Sequence, residues 1–191
     1  MNWKKFLPKV ALWLVMVPVD FIMVLTAYPM SPIIALVSMI KGEPPKWAWL
    51  WLTYDNPIDG DRGHLRRWAD YVAKYPKWGV YCRRTAWLWR NKVYNFAYTY
   101  EGINVGKIVV ASGNPDTKSG KPGEEGYIWL VDENGYWCLF LFKHYTKNLA
   151  VRIYIGWKFK GLLKDPNDKI ERSMFANFFS PFRVWTGSDD K

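Results

Sequence analysis

The hydrophobic pattern is dominated by one long apolar run, Val10–Ile40, in which Asp20 is the only ionised side chain. About 20 apolar residues are enough to cross a hydrocarbon core that is about 30 Å thick. As one straight helix, this run would be about 46 Å long, which exceeds what a perpendicular span requires. The pattern therefore predicts a membrane anchor over residues 1–41.

The path of this anchor is open between two interpretations. Pro18, Pro29 and Pro32 each lack the backbone donor that a helix interior requires. Lysines flank the run on both sides, and the positive-inside rule places both flanks in the cytoplasm. We therefore expect a kinked or re-entrant hairpin. The alternative is a single tilted span that ends in an interfacial turn at Tyr28–Pro32.

Asp20 is the intramembrane polar residue of this prediction. A carboxylate inside a membrane segment commonly marks a functional site with a partner, which is one interpretation. We favour the other, in which Asp20 lies at the hairpin tip, in water or among headgroups. An Asp at the centre of a span costs about 2.5–3.5 kcal/mol, which makes insertion only marginally favourable.

A cleaved signal peptide is the competing interpretation of the N-terminus, because Lys4, Lys5 and Lys9 resemble its positively charged region. The apolar region of a signal peptide is roughly 7–15 residues long, much shorter than this run. No small-x-small cleavage site precedes Lys41. We therefore expect the segment to be retained.

Residues 42–102 are predicted to form a Trp-rich, basic helical region. A turn-rich loop, Asp55–Gly63, comes first and has the sequence DNPIDGDRG. Apolar residues then recur at three- and four-residue steps from Leu65 until Pro76, which predicts one helix. A second helix is expected over Trp78–Trp89.

The pattern changes to β after Gly102, so that residues 103–191 are predicted to form a β domain with a C-terminal tail. The Asn134–Gly135 pair favours a tight hairpin. A short helix or strand is expected around Met174–Val184. Stretches rich in β-branched and aromatic residues predict strands at Lys107–Ala111, Tyr127–Val131, Tyr136–Lys143 and Val151–Lys160.

Alternation in the last of these stretches predicts a sheet with one covered face. Its apolar set, from Val151 through Ile153 and Ile155 to Phe159, is expected to be buried, whereas Tyr154 falls in the polar set. The predicted fold class is thus α+β. It combines an N-terminal transmembrane or re-entrant helical segment, short Trp-rich helices and a small antiparallel β-meander.

Composition and charge favour a membrane interface. Thirteen tryptophans in 191 residues are several times ordinary usage, and +6 of the net charge of +10 lies in residues 41–100. Trp and Tyr gather at headgroup depth, and anionic lipid attracts each nearby basic residue by about 1 kcal/mol. The predicted interface residues are Trp47, Trp49, Trp51, Arg66, Arg67, Arg83 and Arg84.

Anionic headgroups of membrane lipid are therefore the expected partner. The alternative for Trp47, Trp49 and Trp51 is that they pack beneath the soluble region. The sequence favours neither this packing nor a position at the membrane interface. Nucleic acid is the less favoured partner of the basic stretch, although interleaved Arg and Trp also suit phosphates and stacked bases.

The search for chemistry predicts no catalytic residue, no cofactor and no metal site. His64 and His144 have no metal-ligand partner at a helical or hairpin spacing. The Asp55–Gly63 loop invites comparison with a calcium loop, but Arg66 takes the twelfth position, where a carboxylate is needed. Cys82 and Cys138 form no C-x-x-C pair.

Short motifs follow the apolar run in a fixed order. They are a Pro- and Trp-rich segment at Pro44–Trp51, a DNP-x-DGD loop at Asp55–Asp61, an Arg-x-x-Trp-Leu-x-Arg-Asn motif at Arg84–Asn91, a Tyr-x-Phe-Ala-Tyr motif at Tyr94–Tyr98 and Ile-Gly-Trp-Lys at Ile155–Lys158. This order resembles an uncharacterised protein family carried by tailed bacteriophages. The resemblance implies a phage origin and a bacterial host membrane. A host or phage membrane protein is expected as a further partner. It brings no established activity.

We therefore expect a membrane-anchored, non-enzymatic phage accessory protein at the host inner membrane, with its soluble part in the cytoplasm. Envelope modification and superinfection exclusion are examples of such a role. A virion or assembly component is one alternative. An envelope- or lipid-directed enzyme that uses Asp55, Asp59, Asp61 and His64 is the other.

Overall fold

The N-terminal segment forms a single helix, α1, which runs from Trp3 to Lys41 without a break. Pro18, Pro29 and Pro32 all lie inside it. The expected hairpin is therefore wrong, and so is the expected turn at Tyr28–Pro32.

The contacts of Tyr28 explain why α1 continues past Pro32. A proline removes one helical hydrogen bond and so leaves the carbonyl four residues earlier without a partner. For Pro32 this is the carbonyl of Tyr28, which instead accepts a hydrogen bond of 3.1 Å from Nε1 of Trp89. Another part of the chain thus supplies the missing donor, as neighbouring groups do around prolines in membrane helices.

The computed structural model describes residues 1–118, 123–165 and 172–184. Its architecture is α+β, with a long apolar helix, short helices and then an antiparallel meander, which confirms the predicted fold class. After α1 come α2 (Arg62–Lys74), α3 (Pro76–Arg90), α4 (Tyr94–Thr99), β1 (Ile108–Gly113), β2 (Gly126–Asp132), β3 (Trp137–Thr146), β4 (Leu149–Trp157) and β5 (Phe175–Val184). Two 3-10 helices lie at Lys46–Trp51 and Lys160–Leu163.

Contacts divide the chain into two units, and α1 contributes to both. The sheet unit contains Met1–Val17 with the described part of Glu101–Lys191, and the helical unit is Pro18–Tyr100. The sequence instead predicts a separate N-terminal region over residues 1–41.

The sheet unit is built on five antiparallel strands in the order β1-β2-β3-β4-β5. The predicted Asn134–Gly135 turn joins β2 to β3, and Gly135 has a φ of 87°, which a residue with a side chain rarely adopts. Asp132 fixes this turn, because its Oδ1 accepts hydrogen bonds from the backbone N–H groups of Asn134 and Tyr136.

Strand β4 departs from the predicted alternation, because both faces of the sheet are covered. Tyr154, expected to be polar and outward, is only 6 % exposed and lies with its ring centroid 5.2 Å from that of Phe140. Ile153 and Ile155, expected to be buried, are only half-buried. The face with Trp129 and Trp157 receives α1, and the other receives the 3-10 helix Lys160–Leu163.

The helical unit packs its apolar residues around Ile34 of α1. This core contains Ile34, Ala48, Ile58, Trp87 and Leu88, with Met30, Trp51 and Leu52 packed against it. The two helices predicted here are confirmed, and each begins two or three residues earlier than the pattern indicated. Gly79 permits the close approach of α3 to α2, because a Cβ there would meet backbone atoms of Val72.

Candidate membrane-binding site

Within the helical unit, one side of α1 is a packed face of small residues. Ala27, Ser31, Ile34, Ala35 and Ser38 recur at three- and four-residue steps and are all buried. The two buried hydroxyls donate to carbonyls of α1 itself, at 2.5 Å from Ser31 Oγ to Ala27 and 2.7 Å from Ser38 Oγ to Ala35. The small side chains let tryptophans approach the helix closely, and no hydroxyl of this face is left without a partner.

The opposite side of α1 is apolar and uncovered. We call it the open face and define it by Ile22, Leu25, Ile33, Leu36 and Ile40, which are 61, 49, 48, 52 and 77 % exposed. Their spacing places them on one side of the helix. In the sheet unit, Leu7, Leu14 and Val15 of α1 are likewise exposed. Monomeric soluble proteins rarely show a contiguous apolar surface of this kind.

Asp20 does not interrupt the open face. It lies seven residues before Ala27, so helical periodicity places it on the packed side, where it is half-buried. Because α1 is continuous, the prediction that Asp20 occupies a hairpin tip is wrong. The open face thus carries no ionised side chain.

Two tryptophans lie beside the part of α1 in the helical unit, and each donates a hydrogen bond from its indole N–H to an acceptor on α1. Nε1 of Trp51 donates to Thr26 Oγ1 at 2.9 Å, and Nε1 of Trp89 donates to the Tyr28 carbonyl. An indole with its N–H bonded internally leaves only an apolar ring to its surroundings. The ring of Trp89 is exposed, whereas that of Trp51 is half-buried against the core.

The predicted interface residues fall into three environments. Trp47 and Trp49 are exposed, at the 3-10 helix Lys46–Trp51, and Arg66 and Arg67 are exposed on α2. Trp51 packs against the core. Arg83 and Arg84 have side chains that are only 15 and 14 % exposed, because both are paired with an aspartate.

The partner of these two arginines is Asp59, in the loop before α2. Nε of Arg84 donates to Asp59 Oδ1 at 2.9 Å and its Nη2 to Oδ2 at 3.0 Å, while Arg83 also pairs with Oδ1. A further hydrogen bond of 3.1 Å runs from Arg84 Nη1 to Ser38 Oγ on the packed face. Burial raises the pKa of Asp59, but the hydrogen bonds from Arg84 and Arg83 outweigh it and hold the pKa below its usual value.

The other residues considered for an enzyme hold the same loop in place. Asp61 caps α2 by accepting a hydrogen bond from the backbone N–H of His64 at 2.6 Å. The His64 ring is buried beside Trp87, and its Nε2 donates to the carbonyl of Arg83 at 2.9 Å. Burial lowers the pKa of His64, so the ring is neutral at neutral pH.

Asp55 is exposed, and within the described ranges no group of three His, Cys, Asp or Glu side chains is placed to hold a metal ion. Both cysteines are free, and burial raises the pKa of the Cys138 thiol to about 12. This thiol is therefore protonated and unreactive at neutral pH. The contacts of Asp59, Asp61 and His64 are those of a structural loop.

The sequence pattern predicts that α1 is apolar, but it does not predict which of its residues form the uncovered side. The informative signal was residue size, because Ala27, Ser31, Ala35 and Ser38 repeat at helical spacing within the run. Such a stripe marks the side on which other groups pack closely. By length and composition, α1 is the one described helix that is able to cross a membrane.

Comparisons with known proteins supply a family but no activity. Residues 4–187 match the model of DUF7338, a family of unknown function. No curated protein and no solved structure matches the chain. The function therefore has to be argued from the geometry of α1 and its surroundings.

Proposed function

We propose that this chain, which belongs to the family of unknown function DUF7338, is a membrane-binding protein. When it is bound, its open face lies among the acyl chains of the lipid. The observation that carries this proposal is the exposure of five large aliphatic side chains on one side of α1 with no charge among them. Water is a poor solvent for such a face, whereas acyl chains are a good one.

The energy available is sufficient for reversible binding. Fully burying a Leu or Ile side chain contributes about 1.5–3 kcal/mol. The open-face side chains are 48–77 % exposed, so only that part of each is left to cover in lipid. Each then contributes about 1 kcal/mol and the five together about 5 kcal/mol. This is similar to a single acyl-chain anchor, which attaches a protein to a membrane reversibly.

The contacts of α1 favour a helix that lies along the membrane surface over one that spans it. In the sheet unit, Nε1 of Trp13 donates to the carbonyl of Ala176 at 3.1 Å. In the helical unit, Ala27 is the first fully buried residue of α1. Only residues 14–26 lie between them, fewer than the roughly 20 that a span needs. A spanning arrangement would have to break one of these contacts.

Flotation with lipid vesicles tests the binding. We expect Leu36→Glu, on the open face, to weaken binding by at least tenfold, because a charge in the acyl region costs about 2 kcal/mol or more. Leu65→Glu is the matched control, since Leu65 is an exposed leucine on α2. Equal binding by Leu36→Glu and the unmodified protein would contradict the proposal, as would an equal loss in both variants.

Cysteine labelling distinguishes a lying helix from a spanning one. In a Cys82→Ser background, single cysteines replace Ile22, Ile33 and Ile40 and are exposed to a water-soluble maleimide on vesicles. A helix that lies along the surface protects all three positions to a similar extent. Protection that is strong in the middle and lost towards Ile40 would instead indicate a span.

The setting we propose is the inner membrane of a bacterial host, with the soluble part in the cytoplasm. There a non-enzymatic accessory protein of a tailed phage would modify the envelope or exclude a second phage. The motif order around Pro44–Trp51 and Asp55–Asp61 supports the phage origin, and the basic character of residues 41–100 supports the cytoplasmic side.

Expression in a bacterial host, followed by challenge with tailed phages, tests this setting. We expect the protein to fractionate with the inner membrane and to lower plating efficiency, and we expect Leu36→Glu to lose both effects. Unchanged plating on a panel of phages would count against an exclusion role. Recovery of the protein in purified particles would favour a virion component.

A further inference from the structure

Three lysines gather where α1 begins, and the sheet unit holds two of them in place. Nζ of Lys5 donates to the carbonyl of Glu133 at 2.9 Å. Nζ of Lys9 donates to the hydroxyl of Tyr136 at 3.3 Å and lies 4.4 Å from the centre of its ring. Lys4 is exposed beside them. Their charges are therefore concentrated around the turn that joins β2 to β3.

These lysines line an open pocket of about 460 Å³. Its lining residues are Lys4, Lys5, Pro8, Lys9, Asn134 and Tyr136, without a carboxylate among them. Glu133, next to the lining residue Asn134 in the sequence, accepts a hydrogen bond at its Oε1 from the backbone N–H of Lys107. The Tyr136 hydroxyl accepts from Lys9, which leaves its own proton to donate to a ligand oxygen.

We propose that this pocket binds the phosphate group of an anionic lipid headgroup. This inference rests on the proposed membrane binding and names the lipid class that it selects. Phosphate oxygens are acceptors that lysine ammonium groups bind as point charges. Three lysines and a hydroxyl around one cavity supply complementary charge and several donors at once.

The position of Lys4 indicates a lipid phosphate and not a soluble one. Lys4 precedes Leu7 by three residues and Val15 by eleven, which places all three on one side of α1. Leu7 and Val15 are exposed, and so is Trp3 beside Lys4. A lysine and a tryptophan at the end of an apolar helical face are the residues that reach headgroup depth.

Vesicle binding with matched variants tests the pocket. The full chain is titrated with neutral phosphatidylcholine vesicles and with vesicles in which a third of the lipid is phosphatidylglycerol. One variant carries Lys4→Gln, Lys5→Gln and Lys9→Gln. The control removes the same charge from exposed lysines elsewhere, by Lys77→Gln, Lys143→Gln and Lys147→Gln.

We expect the pocket variant to lose at least tenfold in affinity for anionic vesicles, since each basic residue near the surface is worth about fivefold. Binding to neutral vesicles should be unchanged, and the control should lose less than threefold. Equal losses in the two variants would overturn the pocket, because general charge would then explain the preference. The single variant Lys4→Gln should lose about fivefold in affinity for anionic vesicles. Because Lys4 is exposed, this variant still tests the pocket if the triple variant does not fold.

Two further arms separate the sources of failure. In the first arm, inorganic phosphate is titrated onto the lipid-free protein. If the protein binds phosphate tightly while the pocket variant and the unmodified protein bind vesicles equally well, the ligand is a soluble phosphate and the lipid assignment is overturned. Equal binding of the unmodified protein to neutral and anionic vesicles would overturn only the pocket. Absence of binding to either vesicle would overturn the membrane function itself.

Discussion

The packed face and the open face of α1 in the helical unit differ in the size and the polarity of their side chains. The packed face consists largely of Ala and Ser, whereas the open face consists of Leu and Ile. In a helix of a soluble protein the large side chains face the core and the polar ones face water. Here the large side chains of α1 face outward. Tryptophans from other elements fill the core and pack against the small residues of the packed face.

This difference indicates two kinds of apolar surroundings for one helix. Small residues let Trp51 and Trp87 approach α1, and the dispersion contacts of their rings replace those of large helix side chains. The outward leucines and isoleucines contribute little to the stability of the protein alone. Their burial becomes favourable only when acyl chains or another apolar surface covers them. A membrane-binding face requires this property.

The largest effect is expected at adjacent isoleucines on the two faces. Ile34→Ala should lower the free energy of unfolding by about 2–5 kcal/mol, because it leaves a cavity in the core. Ile33→Ala should lower it by less than about 1 kcal/mol and weaken vesicle binding instead. Denaturant unfolding and vesicle flotation of both variants measure this contrast. Equal losses of stability would contradict the distinction between the faces.

The next effect concerns the polar anchor of the packed face. Asp59→Ala leaves Arg83 and Arg84 without their partner and should cost about 3 kcal/mol in denaturant unfolding. The pKa of Asp59 is lowered in the folded state, so its contribution is complete above the usual value of 3.8 and is lost as the pH falls below it. Asp59→Asn should therefore abolish part of the acid sensitivity, and an unchanged acid slope would argue against the pair.

A third prediction extends the comparison to the sheet unit. Gly135 combines a positive φ with a close approach to the carbonyl of Lys5, so that a Cβ would collide with the backbone of α1. Gly135→Ala should lower the free energy of unfolding by about 1–3 kcal/mol. Gly123→Ala is the control, because Gly123 also has a positive φ but open space around its Cβ position. If the two variants lose the same stability, contact with α1 does not matter at this turn.

The smallest effect is a pH dependence at His64, whose ring contacts Trp87 behind the packed face. Its pKa is lowered in the folded state, so the unfolded chain binds the proton more readily below about pH 6.5. The contribution of His64 to the free energy of unfolding should be complete above that pH and should decrease as the pH falls below it. Unfolding curves of His64→Gln should lack this slope, and a slope that persists would exclude His64 as its source.

Local patterns were enough to predict most of the secondary structure. Helices α2 and α3 follow from apolar spacing and from Pro76, and the β2–β3 hairpin follows from Asn134–Gly135. These signals depend on neighbours in the chain, which is why they can be read from one sequence. The pairing of Asp59 with Arg83 and Arg84 could not be read in this way, because its partners lie on different elements.

What the sequence alone determined is that a long uncharged stretch of this chain prefers an apolar environment, since that preference is a property of the side chains themselves. Only the tertiary structure decided that the helix continues past Pro32, because the N–H that compensates this proline comes from Trp89, far along the chain. It also decided which side of that helix stays uncovered. Hydrophobic periodicity alone does not identify that side, because large apolar residues occur on both sides of the helix. The open face stays uncovered because other elements pack against the side with the smaller residues.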